Sequence, residues 1–206
     1  RISGDAAELK ANAPIDSLLK IDTASHLTIE GLTLNANGKA QHALAAFKLT
    51  GRQAVLQNLR LENALSDGFW MEKGQGSSLS NIISSNNLGS GFSCTDCNAV
   101  VFESVIAQNN RGAGYSLLTK DWGNTVTLRS FVSKDNLIGV FANSTIGGVI
   151  RDGWIEGNKE EGFRSIRNNI YLTNVTFERS NSPSVTAIRL INGANANRII
   201  NNFFVG

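Results

Sequence analysis

The sequence predicts an all-β solenoid in which short strands wind into about eight stacked coils of roughly 23 residues each. Three columns predict it: an apolar position, a small bend residue and an asparagine all recur with this one period. Gly, Asn and Ser separate short alternating apolar runs, which is typical of strands and turns. One coil of this length cannot bury its own apolar side chains, so the coils are expected to stack and share a core.

The apolar column is predicted to form the interior. It is clearest in the segments "NNLGSGFS" and "NNRGAGYS", which begin at Asn86 and Asn109 and lie 23 residues apart (109 − 86 = 23). Alternation along a strand points the aromatic residue of each segment inward, and a preceding glycine lets the backbone turn tightly into the strand. The predicted interior column comprises Leu19, Phe47, Phe69, Phe92, Tyr115, Val140, Phe163 and Ile188.

The other two columns are predicted to lie in turns. The bend residues are Gly31, Asn58, Asn81, Ser104, Ser130, Asp152, Asn174 and Asn202. An asparagine follows most of them by five to seven residues. Stacked amides can bond the coils above and below, and so satisfy backbone groups that a turn leaves unpaired. The predicted asparagine ladder comprises Asn37, Asn63, Asn87, Asn110, Asn136, Asn158 and Asn181.

Composition and small motifs exclude several classes. The net charge of +2 is scattered, so no nucleic-acid partner is predicted, and no run of 18 apolar residues exists to span a membrane. A glycine-rich phosphate loop needs a following helix, whereas "FSCTDC" follows Gly91. Cys94 and Cys97 lack two further zinc ligands nearby, so one buried and one incidental free thiol are expected; a disulfide would close a very small loop. No metal or cofactor is predicted.

The layout of these columns resembles the right-handed parallel β-helix proteins of the pectate-lyase-like superfamily over residues 20–206. The segment "IDTASHLTIEGLTLNANG" is particularly similar to early coils of bacteriophage tailspike and exopolysaccharide depolymerase helices. The resemblance implies a right-handed, single-stranded parallel β-helix, an extracellular polysaccharide as partner, and a location outside the cell or on a virion surface such as a phage tail. Residues 1–206 are expected to form a single domain that is a fragment of a longer chain.

The catalytic motifs of these families do not carry over. The polygalacturonase pattern "NTDG" is matched only by Asp67 and Gly68, and the epimerase aromatic-Gly-Phe-Asp-Pro-His run only by Gly68 and Phe69. No acidic cage of the kind that calcium-dependent lyases use is evident. Catalytic residues therefore have to be sought on the predicted surface.

One predicted surface patch combines carboxylates with aromatic residues. The residue after each interior aromatic should face outward, and the patch spans three successive coils. Carboxylates one or two coils apart start from backbone separations of ~5 to ~10 Å, which covers the range that glycosidases use. The candidates are Glu72, Asp96 and Asp121 as catalytic acid and base, Lys120 as the base of a lyase variant, and Trp70, Trp122 and Lys73 for sugar binding. The alternative is a set of solvated charges.

A second cluster is cationic and acidic together. Glu160, Glu161, Arg164 and Arg167 lie close in sequence, and Arg189 falls in the next coil. Arg164 and Arg189 could bind an acidic sugar through their guanidinium groups. The alternative is an ion-pair network between coils.

A third column bears on assembly. The residues two positions after each bend should face outward, yet four in succession are apolar; the column is Thr33, Arg60, Ile83, Ile106, Val132, Trp154 and Thr176. A homotrimer or a flanking segment would cover such a stripe. If the register is wrong by one residue, the stripe belongs to the core.

The leading functional prediction is a carbohydrate-active enzyme that binds and depolymerises a polysaccharide, which could be acidic, as a glycoside hydrolase or a polysaccharide lyase. The alternatives are a non-catalytic structural or adhesive module of a fibre or surface protein, and a uronate C5-epimerase-like enzyme.

Overall fold

The computed structural model describes residues 2–37, 43–118, 125–143, 147–166, 169–178, 185–191 and 197–206. These residues form strands and turns only, and the predicted all-β parallel solenoid of roughly 23 residues per turn is confirmed. The described part of the chain has no helix that is long and apolar enough to cross a membrane. The handedness of the winding stays a prediction.

The strands form two parallel sheets. The larger has twelve described strands: β1 (Ile2–Lys10), β3 (Thr28–Asn35), β5 (Val55–Glu62), β7 (Ser78–Ser85), β9 (Val100–Glu103), β10 (Ile106–Gln108), β12 (Val126–Arg129), β13 (Val132–Lys134), β15 (Gly148–Glu156), β17 (Ile170–Glu178), β19 (Arg198–Ile200) and β20 (Phe203–Val205). The smaller has eight: β2 (Ile15–Ser25), β4 (Ala43–Arg52), β6 (Phe69–Gln75), β8 (Phe92–Thr95), β11 (Ala113–Leu118), β14 (Ile138–Asn143), β16 (Glu161–Ser165) and β18 (Thr186–Leu190). Eight stacked strands enclose about seven turns of the solenoid.

The bend column folds the larger sheet around the core. Its residues adopt the left-handed conformation, with φ of 55° at Asn58, 53° at Asn81 and 52° at Ser104, which glycine, asparagine and other small polar residues tolerate best. In β5 the strand runs through the bend, and in other coils the bend separates two strands, such as β9 and β10. In the last coil the left-handed residue is Asn201 rather than the predicted Asn202.

The interior column is built as predicted. Phe47 pairs with Phe69, Phe69 with Phe92 and Phe92 with Tyr115 in the register of the smaller sheet, and all four are fully buried. Successive ring centroids lie 5.3, 6.3 and 5.3 Å apart. The Tyr115 hydroxyl lies within hydrogen-bonding distance of two main-chain carbonyls, so this one polar atom of the stack is satisfied.

The glycines before the interior column are required by close packing between coils. A Cβ atom on Gly114 would lie 2.7 Å from the carbonyl oxygen of Gly139, and one on Gly139 would lie 2.2 Å from that of Gly162. Neither residue has a left-handed backbone. The physical reason for glycine is therefore approach of the neighbouring backbone rather than turn conformation.

A buried asparagine ladder closes the turn that leads from the larger sheet to the smaller. The side-chain oxygen of Asn110 accepts hydrogen bonds from the backbone N–H and the amide of Asn87, at 3.1 and 2.9 Å. Asn136 accepts the same two bonds from Asn110, at 3.0 and 2.9 Å, and Asn158 accepts one from the backbone of Asn136. All four asparagines are buried, so the ladder satisfies backbone groups that water cannot reach.

Asn63 occupies a different position from the one predicted. The backbone N–H of Ala64 donates to the Asn87 side chain, so Ala64 stands in the ladder and Asn63 lies one residue earlier, with a left-handed φ of 60°. The Asn37 amide donates to the carbonyl of Ala11 at 3.2 Å. Asn181 lies outside the described residues.

Candidate functional site

The outer face of the smaller sheet carries the residues predicted to bind substrate. One outward position is aligned through the whole sheet by strand register: Lys20, Lys48, Trp70, Ser93, Ser116, Phe141, Arg164 and Arg189. This face is therefore a regular array in which each coil contributes one side chain per column.

Trp70 and Phe141 bound a notch on this face. The two rings stand three coils apart, which is about 14 Å between backbones, and only Ser93 and Ser116 fill the column between them. Trp70 is half-buried, and Lys48 Nζ lies 4.1 Å from its ring centroid, which helps to hold the indole against the sheet. An aromatic surface of this kind suits the apolar face of a sugar ring, whereas Ser93 and Ser116 are buried.

Glu72 and Asp96 are brought together beside Trp70. Glu72 lies two positions after Trp70 and pairs in register with Thr95, which directly precedes Asp96. One coil and one residue of offset place the two Cα atoms about 6 Å apart. Both residues are half-buried, whereas Lys73 is exposed. Carboxyl groups that start from this separation can reach the spacing of either retaining or inverting glycosidases.

The prediction of two free cysteines is wrong. Cys94 and Cys97 form a disulfide, and both residues are buried. The left-handed Asp96, with a φ of 53°, reverses the chain and brings the two Cα atoms to 5.9 Å, which is within disulfide range. The bond closes the small loop that contains Asp96, so it restricts the position of that carboxylate next to Glu72.

Asp67 belongs to this face and was not chosen from the sequence. Its Oδ1 accepts a hydrogen bond from the backbone N–H of Ser90 at 2.6 Å. Burial raises the pKa of Asp67, and hydrogen bonds from Ser90 and the Ser93 side chain offset only part of this effect. Asp67 precedes the first residue of β6, Phe69, whereas Glu72 lies in the middle of that strand, so the two are not proposed as a catalytic pair. Its position just before the strand of Trp70 was the available signal.

The cationic cluster is organised around Glu161. Its buried carboxylate binds the Nε of Arg164, and its other oxygen accepts from Arg189 Nη1 at 2.8 Å. Glu160 binds Arg164 at 3.3 Å, and the Arg164 guanidinium lies 5.9 Å from the ring of Phe141. Burial alone would raise the pKa of Glu161, but the bonds and charges of the two arginines outweigh it and lower the pKa. In this arrangement both arginines are engaged within the protein.

Glu161→Gln tests the energetic role of this network. A carboxylate whose pKa is lowered by folding stabilises the protein above its unfolded-state pKa, and this contribution is lost as the pH falls through the folded-state value. We expect the substitution to lower the free energy of unfolding by about 2 kcal/mol at pH 7. The difference from wild type should shrink below about pH 4.5, the ordinary pKa of glutamate. Urea titrations at pH 7 and pH 3.5 measure it, with Glu178→Gln as control, since Glu178 is exposed and lies outside this network; a difference that is equal at both pH values contradicts the assignment.

Four predicted site residues lie outside the described residues: Lys120, Asp121, Trp122 and Arg167. Within the described ranges, no group of three or more His, Cys, Asp or Glu side chains could hold a metal ion.

The apolar stripe lies on the outer face of the larger sheet. Ile83, Ile106, Val132 and Trp154 follow one another in strand register. The first three are half-buried, whereas Trp154 is 41% exposed. The stripe is thus separate from the interior core and from the face that carries Trp70.

Comparison with known proteins shows the fold alone. No family model matches the sequence, and neither does any curated protein. ORF18 of Geobacillus virus E2 superposes with a TM-score of 0.63 at 9% identity, over 98% of this chain and 48% of the viral chain. The A-module of the mannuronan C-5 epimerase AlgE4 of Azotobacter vinelandii superposes with a TM-score of 0.62 at 12% identity, over 99% of this chain and 79% of that one. The chain therefore spans about half the length of the phage protein and most of the epimerase module.

Proposed function

We propose that the protein binds an extracellular polysaccharide along the outer face of the smaller sheet and cleaves it there by acid/base hydrolysis. The observation that carries the proposal is the placement of Glu72 and Asp96 on adjacent coils beside the Trp70 notch. Support comes also from the neighbours of the same fold, one of which is by name an epimerase of the polymer mannuronan and another a phage protein. These neighbours favour a site of action outside the cell or on a virion.

The chemistry requires two carboxyl groups in opposite protonation states. The protonated one donates its proton to the glycosidic oxygen as the bond to the anomeric carbon breaks. The ionised one either removes a proton from the attacking water or attacks the anomeric carbon itself, depending on their separation. Glu72 and Asp96 fill these two roles, and the disulfide beside Asp96 helps to fix their spacing.

Trp70 has a binding role in this scheme. Stacking of a sugar ring on the indole would hold the polymer against the sheet, where the neighbouring Ser93 and Ser116 are small and buried and leave room for it. Asp67, one coil from Ser93, is a further polar contact at the margin of the notch. A stiff array of this kind matches the repeating shape of a polymer.

The deciding experiment is incubation of the purified chain with a panel of neutral, capsular and uronic-acid polysaccharides. Hydrolysis produces reducing ends without absorbance near 232 nm, and this is the expected result. A rise near 232 nm would instead indicate elimination by a lyase, and altered anomeric NMR signals in an uncut polymer would indicate epimerisation. Binding without any chemical change would make the chain a non-catalytic adhesive module and would overturn the enzymatic part of the proposal.

We also propose that copies of the chain associate through the apolar stripe of the larger sheet, as a homotrimer. Four consecutive apolar positions on an outer face lose unfavourable contact with water when a second copy covers them. Val132→Glu together with Trp154→Glu should leave the fold intact and give monomers in analytical ultracentrifugation, whereas the wild-type chain should sediment as a trimer. Glu178→Gln is the control; a monomeric wild-type chain contradicts this proposal.

A further inference from the structure

A groove of about 610 Å³ lies on the turn between the two sheets, beside the asparagine ladder. It spans three coils and is bordered by Asn63, Asn86, Asn109, Leu88 and Arg111. These residues come shortly before β6, β8 and β11, so the groove adjoins the strands that carry the proposed site. Its volume is within the range of pockets that bind small molecules.

The amides of the groove form a second, outer row. Asn63, Asn86 and Asn109 have φ values of 60°, 59° and 56°, and backbone hydrogen bonds align them on successive coils. Left-handed backbone favours asparagine at these positions but does not require its amide to be free. Asn86 and Asn109 are exposed, and their amides bond no other residue in the described ranges. They present donors and acceptors about 4.8 Å apart.

Arg111 is the charged group of the groove. Arg60, Arg129, Arg151, Arg164 and Arg189 each form an ion pair with a carboxylate. Arg111, in contrast, is exposed and forms no ion pair within the described ranges, and no carboxylate lines the groove. The groove therefore offers one unneutralised guanidinium among neutral amides, which favours an anionic ligand.

Leu88 completes the set by providing an apolar surface. It is 44% exposed and borders the same groove. A pyranose ring has an apolar face, a rim of hydroxyls and, in a uronic acid, one carboxylate. These three features correspond to Leu88, to the amides and to the planar guanidinium of Arg111.

We infer that this groove is a binding subsite for a carboxylate-bearing sugar unit of the polysaccharide. The inference rests on the proposed function and narrows its substrate class to uronic-acid polymers. Arg111 binds the carboxylate, while Asn86 and Asn109 bind hydroxyls of neighbouring units. The subsite holds the polymer on the turn next to the sheet on which the cleavage is proposed.

The test is titration of the protein with tetramers of galacturonate and of mannuronate, followed by calorimetry and by the amide NMR signals of the groove. A neutral glucose tetramer and monomeric galacturonate are the ligand controls. At least one uronate tetramer should bind and shift the signals of Asn86, Asn109 and Arg111. Arg111→Gln should weaken this binding at least about 10-fold, since a charge-assisted contact is lost. Arg52→Gln removes the same charge at an exposed site outside the groove, and should change the affinity less than about 2-fold.

Equal affinities for Arg111→Gln and Arg52→Gln, equal binding of the neutral tetramer, or no binding of either uronate tetramer would each overturn the subsite. The proposed function is tested separately by Trp70→Ala. If Trp70→Ala leaves polysaccharide binding and cleavage unchanged while Arg111→Gln weakens tetramer binding, the proposed site on the smaller sheet is wrong and the subsite in the groove is supported. If Trp70→Ala abolishes cleavage while Arg111→Gln has no effect, the proposed site on the smaller sheet is supported and the assignment of the groove as a subsite is wrong.

Discussion

Replacing Glu72 by Gln should reduce polysaccharide hydrolysis about 1,000-fold, and replacing Asp96 by Asn should do the same. Each substitution keeps size and hydrogen-bonding shape but removes the ability to exchange a proton. Without the acid, the leaving oxygen departs as an alkoxide; without the base or nucleophile, the water or anomeric carbon is not activated. Because the two groups act on one step, the double variant should be little slower than either single variant. Release of reducing ends measures the rate.

The controls separate chemistry from folding and binding. Glu178→Gln removes a carboxylate from an exposed position on the larger sheet and should keep full activity. Urea unfolding of Glu72→Gln and Asp96→Asn should stay within about 1 kcal/mol of wild type, since both residues lie on an outer face or turn. A double variant that retains more than a tenth of the wild-type rate would show that the catalytic carboxylates lie elsewhere.

Replacing Asn110 by Ala should lower the free energy of unfolding by about 3 kcal/mol or more. The Asn110 side chain accepts two hydrogen bonds from Asn87 and donates to Asn136 and to the carbonyl of Ser84, all in a buried turn. Removal leaves the Asn87 backbone N–H and the Ser84 carbonyl without these partners, and each buried orphan costs about 1–3 kcal/mol. Urea denaturation followed by circular dichroism measures the change.

Gln108→Ala is the matched control for the ladder. Gln108 lies two residues from Asn110, and its side chain is half-buried on the outer side of the strand. Its replacement by Ala should lower the free energy of unfolding by less than about 0.5 kcal/mol. The wild-type chain has an alanine, Ala64, at one ladder position, but this position is at the end of the run of buried asparagines and not in its middle. If Asn110→Ala cost no more than Gln108→Ala, the amide bonds of the ladder would contribute nothing to stability.

The interior of this fold can be predicted from the sequence because each coil contributes one apolar residue at the same position of the repeat. Phe69, Phe92 and Tyr115 stack as predicted, since alternation along parallel strands leaves one register that buries all of them. The bends at Asn58 and Asn81 are readable for a similar reason, because few residues tolerate a left-handed backbone. The assignment of Asn63 to the ladder failed because two adjacent asparagine-rich columns, one buried and one left-handed, have the same period.

The candidate site is less accessible to such reasoning. The Cys94–Cys97 bond depends on the left-handed turn at Asp96, and nothing in the spacing of two cysteines specifies that turn. The raised pKa of Asp67 depends on the burial of its carboxyl group, which the periodicity of the sequence does not reveal. The engagement of Arg164 and Arg189 by one glutamate depends on side-chain reach between coils. Periodicity assigns columns to faces, whereas side-chain partners follow from distances.

The vertical register of the smaller sheet, which shifts only near the ends of the β2–β4 and β4–β6 pairs, has a consequence for how such a chain can change over generations. Inserting or duplicating one complete coil lengthens the solenoid and leaves the columns aligned, because each strand of this sheet pairs only with the corresponding strands of the preceding and following coils. Inserting a single residue within a strand moves its apolar side chains to the wrong face and disrupts both adjoining coils. Growth in length is therefore expected to occur in whole repeats, while other insertions are expected in turns outside the asparagine ladder, because added residues in the ladder would break its alignment between coils.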